Sequence, residues 1–263
     1  MKNYVLTLIL CVVSSSLFSQ TADDYYKSGY SSFAEGDDEH AELLLRAAAE
    51  KGSEKAYGLL SFMYFNEALD HERDIYEAMS LANHVVKERE PFSSFVKGMV
   101  AIYRNDFRGA IGFLEYVLQN LNLSEAKMGL SICYYVLGEK EKAEEYALEV
   151  YNQYKDSEDE KNYSSEYFSC CALLSKITYD KDKKDVQALS YAGETRKSNC
   201  PLGQYMMGRC QKEFDIYPKI GDDRIEEAAN YEYWKTSTKP NLYAHLEVFK
   251  NEIINYYTKK VKK

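Results

Sequence analysis

The sequence predicts an all-α fold, a right-handed α-solenoid of about six antiparallel helix pairs followed by a C-terminal capping helix. Three observations predict it. A glycine or serine recurs along the chain, at Gly29, Ser61, Gly98, Ser131, Ser175 and Gly208. An alanine follows each one, at Ala41, Ala78, Ala110, Ala143, Ala188 and Ala228. Apolar residues then continue at positions three, four and seven further on, the spacing of one helix face.

The first pair lies in "SGYSSFAEGDDEHAELL", residues 28–44, where Gly29 precedes Ala41 by 12 positions and Leu45 and Ala48 follow. The second pair, around "AYGLLSFMY", needs a step of 17 from Ser61 to Ala78, so its inter-helix loop is longer. The third and fourth pairs repeat the step of 12, from Gly98 to Ala110 and from Ser131 to Ala143. The fifth, around "CCALLSKITY", takes 13 from Ser175 to Ala188, and the sixth takes 20 from Gly208 to Ala228. Two antiparallel helices approach closely only where their crossing carries no bulky side chain, and these pairs supply such points. Gly36 and Gly138 fall in the predicted turns, where a residue that accepts positive φ ends a helix at little cost. Pro91, Pro201 and Pro240 fall at predicted pair starts, where a missing N–H is harmless.

These residues carry a family resemblance. Tyr25, Gly29, Gly36, Ala41, Leu45 and Ala48 resemble the tetratricopeptide pattern, as do Leu130, Ser131, Tyr134, Gly138 and Ala143. "AYGLLSFMY" and "GQYMMGRCQ" are similar to the first helix of the Sel1-like repeat, and "AAAEKG" to its unit end. The resemblance extends over roughly residues 22–237. It implies a repeat array over 20–237 and a concave side lined by the first helix of each pair, where extended peptides or partner segments lie. Residues 238–263, with "NLYAHLEVFKNEIINYYTKKVKK", read as a helix that covers the last apolar face and ends in a basic cluster.

Carried onto this sequence, the lining positions give Tyr26 and Tyr30, then Phe62 and Phe65, then Tyr103, Tyr135, Tyr205 and Arg209. The implied face is rich in aromatic rings, which suits an interaction surface. The competing reading is that superhelical curvature buries these rings against neighbouring repeats. The expected partner is a protein or peptide; a carbohydrate or cell-wall ligand is the alternative, because flat rings also stack on sugars.

Composition narrows the function further. The net charge of −9 is spread along the chain without a basic stripe, which argues against nucleic acid. His40, His71, His84 and His245 are scattered, and neither HExxH, GxSxG nor a phosphate-cradling glycine loop is present. The sequence therefore points to a non-enzymatic scaffold without a cofactor or metal. Cys170, Cys171, Cys200 and Cys210 lack the CxxC spacing of a zinc site, and a bridge from Cys200 to Cys170 or Cys171 stays open. Cys133 reads as a small buried hydrophobe.

"MKNYVLTLILCVVSSSLFSQ" has the layout of a secretory signal peptide over residues 1–19, with cleavage expected after Ser19. The apolar run is too short to span a bilayer. Cys11 lacks the small preceding residue of a lipoprotein signal. The expected location is secreted or periplasmic.

Overall fold

A computed structural model describes residues 20–66, 75–86, 89–156, 165–231 and 244–260. Residues 1–19, expected to form a signal peptide, the 237/238 boundary and Pro240 lie outside the described residues. Thirteen α-helices are found among the described residues, and no strand. Six hairpins account for twelve of them. They are α1 (Ala22–Glu35) with α2 (Asp38–Glu50), α3 (Glu54–Asn66) with α4 (Ile75–Asn83), and α5 (Pro91–Tyr103) with α6 (Phe107–Asn120). Then come α7 (Ser124–Val136) with α8 (Lys140–Tyr154), α9 (Ser165–Lys181) with α10 (Val186–Glu194), and α11 (Pro201–Glu213) with α12 (Pro218–Ala229). A 3-10 helix, Ala244–Phe249, leads into α13 (Lys250–Lys260). The chain divides into two compact units, Met1–Ser93 and Ser94–Lys263, so the division falls in the first turn of α5.

Helix ends explain why the hairpins turn where they do. Counting seven from the small residue of a first helix reaches Gly36, Asn105, Gly138 and Asp215, with φ of 80°, 60°, 85° and 56°. This place needs a left-handed backbone, which glycine adopts freely and asparagine and aspartate tolerate better than other residues. In the first and third hairpins the next residue caps the second helix with its side chain. Asp37 accepts from the His40 N–H at 3.2 Å and Asp106 from the Gly109 N–H at 3.0 Å. The start of α1 carries a full capping box between Thr21 and Asp24.

In the first unit, α1 packs on α2, α2 on α3, and α3 on α4. Gly29 accommodates Leu45: a β-carbon on Gly29 would stand 2.8 Å from Leu45 Cγ. Leu45 is fully buried, worth about 1.5–3 kcal/mol of transfer free energy. Ser61 and Ala78 are both fully buried, and the Ser61 hydroxyl donates to the Gly58 carbonyl within its own helix, at 2.6 Å. The buried Glu90 carboxylate caps the start of α5, accepting from the Phe92 N–H at 3.1 Å and the Ser93 N–H at 2.7 Å. It lies against Gly58, where any side chain would collide with it.

In the second unit the hairpin contacts take two chemical forms. Gly98 repeats the glycine form, with Leu114 Cδ2 standing 2.8 Å from where a β-carbon would be. Serine takes the other form. The Ser131 hydroxyl donates to the Ala143 carbonyl at 2.5 Å, and the Ser175 hydroxyl to the Ala188 carbonyl at 2.7 Å. The sixth hairpin departs from the spacing. Gly208 faces the Gly221 carbonyl and Ile225, and the expected partner Ala228 lies two turns further along α12. Gly221 is 13 residues after Gly208, the step already seen in the fifth hairpin.

Candidate functional site

The expected lining residues separate into core and surface. In the first unit, Phe62 and Phe65 are only 7% and 2% exposed. Phe62 packs against Phe33 and Phe92, with ring centroids 6.2 and 5.1 Å apart. These two positions are corrected from exposed lining to core. Tyr26 and Tyr30 stay accessible, the first half-buried and the second 43% exposed, with their rings 6.2 Å apart. Burial, with Glu90 adding its charge, pushes the Tyr26 hydroxyl up to about 12.

In the second unit Tyr205 is also corrected to core, since its residue is fully buried. The reason is that first helices pack side by side, α7 on α9 and α9 on α11. Side chains three before and one after the small residue are drawn between them, as with Phe95, Met99, Met128 and Ile132. Tyr103 and Tyr135, five and four positions after it, are half-buried, whereas Ile102 and Tyr179, also four after, are buried. Arg209, at a one-after position, also stays half-exposed.

The half-buried side chains converge on the chain's own C-terminal segment. The Tyr135 ring lies 5.4 Å from the Phe249 ring. Glu252 accepts from the buried Tyr205 hydroxyl at 3.2 Å and pairs with Lys176 at 3.4 Å. The Arg209 guanidinium stands 4.1 Å from the Tyr256 ring and within 5.4 Å of the Tyr205 and Tyr179 rings. Earlier in the segment, His245 and Ser169 share a buried 2.8 Å hydrogen bond. Tyr257 donates to Glu226 of α12 at 2.7 Å. The C-terminal helix therefore does contact the last hairpin, as expected, but its segment also runs back across α11, α9 and α7. A cavity of about 380 Å³ lies between the segment and the end of α5, lined by Ile102, Tyr103, His245 and Val248 among others.

Charge on this face is arranged within the second unit. Burial raises the Asp180 carboxyl, but the Lys176 ammonium and the Tyr135 hydroxyl outweigh it and hold the group below its ordinary value. The Tyr135 hydroxyl donates to Asp180 at 2.7 Å and Lys176 to the same carboxylate at 2.8 Å. Tyr135 is thus positioned by one acid while its ring serves the segment.

The cysteines are structural. Cys133, Cys170, Cys171, Cys200 and Cys210 are free and buried. Burial pushes the Cys133 and Cys200 thiols up to about 12 and the Cys210 thiol to about 11, which suppresses the reactive thiolate. Among the described residues no group of His, Cys, Asp or Glu is arranged to hold a metal ion. None of the described helices is long and apolar enough to cross a membrane.

Comparison with known proteins agrees with the hairpin architecture. The chain superposes on Pseudomonas aeruginosa pilF with a TM-score of 0.54 and 15% identity, over 86% of this chain and 96% of that one. This is the fold of tetratricopeptide and Sel1-like repeat proteins. A Sel1 repeat protein from Oxalobacter formigenes is also similar, with a TM-score of 0.42, 16% identity, and coverage of 80% of this chain and 62% of that one. So is c5321, a protective antigen of uropathogenic Escherichia coli with an SLR fold, at 0.49, 14%, 96% and 60%. No family model matches the sequence, and no curated protein matches it. In the second unit the surface of the first helices is where Tyr135 and Arg209 hold the C-terminal segment.

Proposed function

We propose that the chain is an exported, non-enzymatic repeat scaffold that binds a segment of another protein on the surface of its first helices. The supporting observation is that Tyr135 and Arg209 already hold a peptide segment, the chain's own residues 244–260. A face that holds one helix through ring contacts and charged tips is chemically suited to hold another. In the first unit Tyr26 and Tyr30 offer a second, smaller aromatic surface. The buried thiols are held in their unreactive form. Export rests on the signal-like residues 1–19 and is part of the same proposal.

The test is site-specific photo-crosslinking in the envelope of the producing cell. A photoreactive residue replacing Tyr103, and in a second strain Tyr30, is expected to trap one discrete protein, identified by mass spectrometry. Trapping only glycan, or nothing at either position, overturns the reading.

A further inference from the structure

We propose that residues 244–260 act as a built-in competitor for the docking face of the second unit. The same geometry defines the partner, a helical segment bearing an aromatic ring, an acid three residues later and an aromatic ring four after that. The inference deepens the scaffold reading above and rests on it.

The triad is written in the chain. Phe249, Glu252 and Tyr256 are spaced three and four apart, and so fall on one face of a helix. Each has its own receptor. Tyr135 takes the first ring, Lys176 and the Tyr205 hydroxyl take the acid, and Arg209 takes the second ring. Lys176 is only 7% exposed and already pairs with Asp180 at 2.8 Å, and Glu252 adds a second carboxylate to it at 3.4 Å. An arginine beneath a tyrosine face adds a cation–π contact with directional preference. Shape and charge together favour an aromatic–acid–aromatic segment over a purely apolar helix.

Helix α13 is seated shallowly, while the 3-10 turn before it is anchored by the buried His245, Leu246 and Phe249. Ile253 is the one side chain of α13 that is buried among the described residues; the rest of the helix holds on through polar tips. Toward the end of α5, the 380 Å³ cavity leaves the segment without close packing beneath it. Hydrogen bonds and ring contacts of this kind are replaceable one for one by a ligand carrying the same triad. A deeply interdigitated core would not exchange in that way.

Fluorescence anisotropy with a labelled synthetic peptide of residues 244–260 tests the proposal on full-length chains. The variant Phe249→Ala/Glu252→Lys/Tyr256→Ala, whose own segment is weakened, is expected to bind the peptide at least about tenfold more tightly than the unaltered chain. Adding Tyr135→Ala and Arg209→Ala to that variant is expected to abolish the gain. Equal binding by the altered and unaltered chains, or none by either, overturns the proposal. Hydrogen exchange on the unaltered chain gives a second reading that needs no variant. Amides of α13 are expected to exchange at least about tenfold faster than those of α11, and faster still in excess peptide. Exchange of α13 only together with α11, unmoved by peptide, overturns it. Should the peptide fail while crosslinking at Tyr103 still traps a protein, the competitor falls and the scaffold stands.

Discussion

Ser131 donates a hydrogen bond from its hydroxyl to the carbonyl of Ala143 on the facing helix, 2.5 Å away, and so joins α7 to α8 by a side-chain bond. Ser175 does the same to Ala188 in the next hairpin. Both serines are fully buried. Replacing either with alanine is expected to cost about 1 kcal/mol, the usual net value of such a bond. The two costs are expected to add, because the bonds share no atoms. Urea unfolding of the two single variants and the double variant measures this.

The glycine form of the same contact is less forgiving. A methyl group on Gly29 would meet Leu45 at 2.8 Å, so Gly29→Ala is expected to cost about 1–3 kcal/mol as overpacking. Gly98→Ala is expected to behave alike against Leu114. A thermal melt in which Gly29→Ala is as stable as the unaltered chain would refute the close approach.

How much of this was legible in the sequence follows from the same residues. The recurring small residue and the alanine after it were readable because tight helix contacts exclude bulk, whatever the side-chain chemistry. What could not be read was that Ser131 and Ser175 bond across the pair and Ser61 within its own helix, while glycine only yields space. Gly221 was missed as the partner of Gly208 because it follows Pro218 in a stretch that resembles a loop. The aromatic lining was overread. Phe62 and Tyr205 sit at positions that first helices bury by packing on one another, while Phe65 stands four after Ser61, a column that is buried at Ile102 and Tyr179 and half-buried at Tyr135, and a helix pattern alone does not separate these. The C-terminal segment was legible as a helix; its course across α11, α9 and α7 was not, because no periodicity states which surface a terminal helix selects.

Turn chemistry gives a graded expectation. Gly138 holds φ of 85°, so Gly138→Ala is expected to cost about 1–2 kcal/mol. Gly138→Asn is expected to cost less, since Asn105 already occupies the matching place at φ of 60°. Chemical denaturation of both variants gives the order, and an alanine variant as stable as the asparagine one would contradict it.

Glu90 sets a pH dependence. Its burial raises the carboxyl above the ordinary glutamate value, although the Ser93 and Phe92 N–H groups pull the other way. The folded chain therefore holds this proton more tightly than the unfolded chain. Stability from this group is fully present below the unfolded value of 4.5 and is lost as pH rises through the folded one. Glu90→Gln is expected to flatten the decline in melting temperature above that pH. An unchanged slope would show that the carboxylate is solvated.

The thiols offer a chemical check. With all five described cysteines free and buried, a thiol reagent is expected to label none of them in the native chain and all of them in denaturant. The mass of the chain is expected to be the same with and without reductant. A loss of two hydrogens on the native chain would reveal a bridge.

Because the segment carrying Phe249 and Tyr256 belongs to the same polypeptide as the surface it covers, diluting the protein leaves its hold unchanged, while any free guest loses ground on dilution. Occupancy by a guest then becomes a matter of local abundance crossing a threshold, and the few ring and charge contacts of one short helix set where that threshold lies.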